Sequence, residues 1–155
     1  MRRTPALQDV LAYRNDALVK TMSKKHGLPI HECQELFIDL KKWIWLIGTR
    51  DERPFAFPCF QEQWVLDGFW HEFILSTREY TDFCTYYFGH YIHHKPAPDD
   101  VQGAGATLIR QDLEHFIDIN KGLLEEAMLE VQQKLGREVV IRWYRDIPRQ
   151  YPLLT

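Results

Sequence analysis

Trp64-Val65-Leu66-Asp67-Gly68-Phe69-Trp70-His71-Glu72-Phe73-Ile74-Leu75 is the stretch on which the fold turns. Stepped at about 100° per residue from Phe60, it places Phe60, Trp64, Asp67, His71, Ile74 and Leu75 in one stripe. Leu66, Phe69, Trp70 and Phe73 form a second apolar flank, and only Gln61, Val65, Gly68 and Glu72 are left for solvent. The spacing predicts a helix from about Phe60 to Leu75, packed on most sides, with Asp67 and His71 inside an apolar stripe.

The neighbouring segments carry the same period. Ser76 and Glu79 make a capping-box pattern for a following helix that ends near Phe88 with Gly89 as its C′ residue. Tyr80, Phe83, Cys84, Tyr87 and Phe88 share the apolar stripe of that helix, which puts Cys84 inward. Upstream, Leu7, Val10, Leu11, Leu18 and Met22 predict one helix over Ala6 to Lys25, closed by Gly27 and Pro29. A second runs from His31 to Ile47 on Leu36, Phe37, Leu40, Trp43, Ile44 and Ile47, with Asp39, Lys41 and Lys42 falling away from that face. Residues 48–54 read as a polar turn, 55–58 as an extended connector, 95–100 as a proline loop and 102–107 as a small-residue linker. A long helix is expected over Thr107 to Leu135, with Gly122 a point of kinking or splitting. Val139 to Tyr144 reads as a short strand or extended arm. The expected fold is mainly α: one domain over 1–155, a bundle of about five helices with a short extended segment near the C-terminus.

Composition narrows the function. The 155 residues are 45% hydrophobic and 26% charged, which suits a folded domain rather than a disordered chain. The net charge of -3 disfavours wrapping nucleic acid. No apolar run spans a bilayer and the start, Met1-Arg2-Arg3-Thr4-Pro5, leads into no secretory apolar region, so a cytoplasmic protein is expected. Cys33, Cys59 and Cys84 are an odd number with no CxxC pair, which fits a reducing compartment.

Chemistry concentrates in the middle of the chain. A carboxylate buried alone costs several kcal/mol, so an inward Asp67 must be paired, protonated or bound to a metal. Its i, i+4 spacing to His71 allows either a direct bond or convergence on one ion. Cys84, His93 and His94 follow closely and complete a donor set of carboxylate, imidazole and thiolate suited to zinc, or to iron where oxygen and nitrogen dominate. The same residues also suit a buried hydrogen-bonded core with an inert thiol. A Cys-His-Asp hydrolase built on Cys84, His71 and Asp67 is disfavoured, because Cys84 lies late in its helix, where the dipole opposes a thiolate.

The series Leu66-Asp67-Gly68-Phe69-Trp70-His71, then Thr77, Tyr80, Phe83-Cys84, Phe88-Gly89 and His93-His94-Lys95-Pro96, resembles the glycine-rich-domain-containing-protein-like family over residues 58–96. The resemblance implies that Asp67, Trp70, His71, Cys84 and His94 belong to one recurring unit. Many members carry a second histidine where this chain has Phe73, so one ligand of that pattern is missing here, and the glycine-rich tail is absent.

Two functions from different classes follow. One is a metal-binding helical domain in which Asp67, His71, Cys84, His93 and His94 hold zinc or iron and an open position activates water for hydrolysis. The other is a non-catalytic interaction module with the cluster as its rigid polar core and a protein partner on its surface. The long helix from Thr107 and the basic segment 134–155 are then the partner-facing parts. Arg142-Trp143-Tyr144-Arg145 interleaves cations and aromatics and could stack nucleic-acid bases or grip an acidic partner, or be a solvated arm whose aromatics dock on the core.

Overall fold

The computed structural model describes residues 2–50, 63–94 and 121–152. The expected polar turn beyond residue 50, the connector, Cys59, the start of the Phe60 helix, the proline loop, the linker and residues 107–120 of the long helix lie outside them. The described residues are mainly α, with no strand among them. Two compact units are formed, one from Met1–Arg53 with Leu66–His94, the other from Pro54–Val65 with Lys95–Thr155.

The first unit contains α1 (Leu7–Leu11), α2 (Asp16–His26), α3 (Ile30–Gly48), α4 (Trp64–Leu75) from Leu66 onward, and α5 (Thr77–Phe88). The single helix expected over Ala6 to Lys25 is in fact two. Asn15 leaves helical backbone at φ -147° and its Oδ1 accepts from Leu18 N at 3.0 Å, a side-chain cap that starts α2. The apolar pattern ran straight across this cap because Leu11 and Leu18 are spaced two turns apart. Gly27 (φ 65°) and Gly89 (φ 76°) close α2 and α5 in left-handed conformation, as their positions required. Ser76 precedes α5, but its side chain makes no capping bond.

The core of this unit is aromatic. Phe73 is fully buried and its ring lies 4.9 Å from Tyr80, 5.2 Å from Phe83, 5.8 Å from Phe37 and 6.0 Å from Tyr13. Gly48 ends α3 against α5: a Cβ placed there would stand 2.6 Å from Phe88 Cε1 and 3.2 Å from Ile92 Cδ1. The backbone N–H of Arg3 donates to Phe88 O at 2.7 Å, and its guanidinium donates to Tyr86 O at 2.9 Å. The guanidinium of Arg2 donates to Arg50 O. Two cations thus satisfy carbonyls at the C-terminal ends of α3 and α5, where the helix dipole favours positive charge.

Asp39 and Lys41 were expected to fall away from the apolar face of α3, yet both are buried. Lys41 reaches the junction of α1 and α2, where Nζ donates to Leu11 O and Tyr13 O, each at 2.8 Å, and lies 4.7 Å above the Phe37 ring. Carbonyls exposed by the break at Asn15 supply its partners, so an amine on the wrong side of the pattern is satisfied.

Burial pushes the Lys41 amine down to about 8 from its ordinary 10.5. The neutral amine keeps two N–H donors for its two carbonyls. Between pH 8 and 10.5 the unfolded chain holds a proton that the folded chain has released, so this group makes stability rise with pH. Burial pushes the thiols of Cys33 and Cys84 up, and they act with the opposite sign as pH rises past the ordinary thiol value. The expected result is therefore a difference: between pH 8 and 10 the wild type gains stability relative to Lys41→Met, measured by urea midpoints. Parallel profiles would contradict it.

In the second unit, α6 (Lys121–Leu135), α7 (Arg137–Ile141), a π-helical turn (Arg142–Asp146) and α8 (Ile147–Gln150) follow one another. Gly122 lies within α6, and Gly136 (φ 98°) separates α6 from α7. The expected strand or extended arm at Val139–Tyr144 is helical instead. Its β-branched run favours a strand locally. The buried positions Val139, Val140, Trp143 and Ile147 follow the helical period, and burying that face decides the outcome. Gln63 Nε2 donates to Trp143 O at 3.2 Å and Trp64 Nε1 to Tyr151 O at 3.0 Å within this unit.

Candidate functional site

The buried face of α4 is Val65, Leu66, Phe69, Trp70 and Phe73. That is the second apolar flank together with Val65, which was expected to face solvent, and Leu75 of the first stripe is exposed. Helical period could not choose between two apolar flanks; the aromatic core chose the one centred on Phe73. Asp67 and His71 therefore lie at the edge of the protein, with side chains 33% and 57% exposed. The Phe73 ring belongs to the aromatic core and adds no donor to the cluster.

After Gly89 the chain leaves helical form, and residues 91–94 run back to α4. His94, 12% exposed, places Nε2 at 2.6 Å from Asp67 Oδ1. His71 Nδ1 lies 2.9 Å from Asp67 O and 3.1 Å from Asp67 Oδ2. A backbone carbonyl only accepts, and so does an ionised carboxylate, so Nδ1 of His71 and Nε2 of His94 are the nitrogens that carry protons and donate. The two imidazole rings are 4.4 Å apart, and the Trp70 ring is 4.5 Å from His94. One ligand atom from each of Asp67, His71 and His94 lies within 4.8 Å of the others.

Three of the five residues singled out as ligands are thus brought together, and two stand apart from that group. Cys84 is buried, hydrogen-bonded to Tyr80 and to the Ile92 backbone, with its thiol pushed up by burial. That environment disfavours the thiolate a metal would need. His93 is exposed and its ring packs 4.7 Å from Tyr91. Cys33 and Cys84 are free thiols. In the C-terminal segment Trp143 is fully buried and cannot stack on a base, Arg142 and Tyr144 are half-buried, and exposed Arg145 donates to Asp146 at 2.8 Å.

Trp70 and Tyr80 do more than the spacing indicated. Trp70 Nε1 donates to Tyr80 OH at 3.0 Å, and Tyr80 OH donates to Ile92 O. The signal was present in the residue types, because a buried Trp and a buried Tyr each need a partner for their polar tip. Beside the cluster, Lys25 Nζ pairs with Glu72 Oε2 at 2.9 Å.

No helix among the described residues is long and apolar enough to cross a membrane. No curated protein and no solved structure matches this chain. The UCP032817-like family matches residues 3–104, a span that includes Asp67, His71 and His94. With most of its length matched, the chain belongs to the UCP032817-like family.

Proposed function

We propose that this protein binds one divalent transition-metal ion, zinc before iron, through Asp67, His71 and His94. The convergence of one carboxylate and two imidazoles within 4.8 Å carries the reading. Ligands of a tetrahedral ion with metal–ligand bonds of about 2.0–2.1 Å stand about 3.3 Å apart. Asp67, His71 and His94 would hold the ion with the imidazole nitrogens that face Asp67, once these had released their protons, and the 2.6 Å contact between Asp67 and His94 would have to lengthen. Three protein ligands leave a four-coordinate zinc one position for water, the arrangement of a hydrolytic centre. The same two-histidine, one-carboxylate set also suits non-haem iron(II).

The test is metal content by mass spectrometry on untagged protein, wild type beside His71→Ala. About one zinc or iron per chain is expected in the wild type, and its loss in a variant that remains folded. A wild type that is empty and refuses added zinc, iron and manganese overturns the reading.

One observation favours a second reading. At 2.6 Å the bond between His94 and Asp67 is already complete as a charge-assisted contact, worth about 1.5–3 kcal/mol, and it ties residues 91–94 to α4 without any ion. On this reading the domain is an interaction module, and His94→Ala lowers stability while the wild type takes up no metal.

A further inference from the structure

His94 is the one member of the cluster that no helix carries, and a ligand on irregular backbone needs an independent anchor. Backbone hydrogen bonds of a helix hold Asp67 and His71 in register with each other. The segment 91–94 has no such ladder. Its attachment runs through Ile92, whose carbonyl accepts from the hydroxyl of fully buried Tyr80 and whose side chain is buried beside Gly48.

We infer that Tyr80 is the positioning residue of the site, its hydroxyl setting where His94 meets Asp67 and any ion held there. This inference rests on the reading of Asp67, His71 and His94 as a metal site. The hydroxyl works in both directions: it accepts from Trp70 Nε1 on α4 at 3.0 Å and donates to Ile92 O. Trp70 in turn lays its ring 4.5 Å from His94, and His94 returns to α4 at Asp67. The contacts form a closed circuit from α4 through α5 to the 91–94 segment and back. Tyr80 is held rigidly at its own end, its ring packed on Phe73 at 4.9 Å and on Tyr91 at 5.2 Å. Burial pushes its phenol well above the ordinary range, so it stays a neutral donor at any working pH. Without the hydroxyl, a buried Trp70 N–H and the Ile92 carbonyl both lose this partner, and the segment carrying His94 keeps only the contact of Cys84 with the Ile92 backbone and the packing of the Ile92 side chain.

The decisive variant is Tyr80→Phe, which keeps the ring and removes the oxygen. Zinc and cobalt(II) affinities are measured by chelator competition on the full chain, with the cobalt spectrum reporting ligand geometry. Loss of an outer support typically weakens metal binding about 10–100-fold, and that loss with an altered cobalt spectrum is the expected result. Leu18→Ala, a change at a buried position of α2 outside this circuit, serves as the control for lost stability and leaves affinity unchanged.

A second readout needs no metal: the His94 Nε2–H proton resonance, shifted downfield by Asp67 in the wild type, broadens or disappears in Tyr80→Phe. If the wild type binds zinc and Tyr80→Phe matches it in affinity and in that resonance, the positioning role is overturned while the metal site stands. If the wild type takes no metal, the metal reading falls, and the resonance alone decides the role of Tyr80. Should Tyr80→Phe fold poorly, Trp70→Phe breaks the same circuit one step earlier. Unchanged affinity and an unchanged His94 resonance there would equally overturn it.

Discussion

Replacing Asp67 by asparagine is expected to lower zinc affinity by at least about 100-fold, more than the roughly 10–100-fold that follows loss of an outer support. For zinc the reason is that the carboxylate is itself a ligand, and the imidazole nitrogens facing it release their protons when the ion binds. For the metal-free protein it is the direction of those protons. His71 and His94 both point an N–H at Asp67, which answers with two acceptor oxygens at 3.1 and 2.6 Å. Asparagine has the same shape but offers one acceptor and one donor, so one imidazole meets an N–H group and turns away. The negative charge that balances a divalent ion is lost as well. Asparagine should also lower the stability of the metal-free protein by about 1.5–3 kcal/mol, the worth of a charge-assisted hydrogen bond. Zinc competition and urea unfolding on the same samples separate the two effects. A stability loss without any zinc binding in the wild type would favour the interaction-module reading. No change in either would remove Asp67 from both.

The second large effect is structural. Phe73→Ala should cost about 3–5 kcal/mol, the range for emptying a buried aromatic site, against a total stability of about 5–15 kcal/mol for a domain. Phe73 is fully buried and touches rings from three other elements: Tyr13 before α2, Phe37 on α3, and Tyr80 and Phe83 on α5. No single neighbour can collapse into the space, because each ring is held by others. Thermal or urea unfolding measures the loss directly, and a cost below about 1 kcal/mol would show that the cluster is loosely packed. Below the unfolding transition, zinc affinity should fall as well, since the Phe73 ring packs on Tyr80 at 4.9 Å and helps to hold it.

Helix ends were the most legible part of the chain. Gly27 and Gly89 announced left-handed caps, and α3 and α5 lie close to where period placed them. The break at Asn15 was written as plainly, in a capping residue ahead of Asp16, but the apolar spacing across it was misleadingly continuous. Which flank of α4 faces inward could not be read, because both were apolar and only the shape of the aromatic cluster decides. That one ambiguity explains why Asp67 and His71 were expected inside and are found at the edge. His94 was legible as a candidate from residue type alone, while its difference from His93 required the return path of the chain. Val139–Tyr144 shows the opposite failure, local β preference overruled by a helical burial pattern.

The contact at Gly48 makes positions 48 and 88 share one volume. A glycine at the end of α3 is filled by the ring of Phe88, which would lie 2.6 Å from any Cβ placed there. Chains of this family that acquire a side chain at the first position must therefore give up bulk at the second, and the two sites should drift together through evolution. Ile92 meets the same spot at 3.2 Å, so that drift reaches the segment that delivers His94. Variation at the glycine that ends α3 would thus be recorded in how tightly the histidines close.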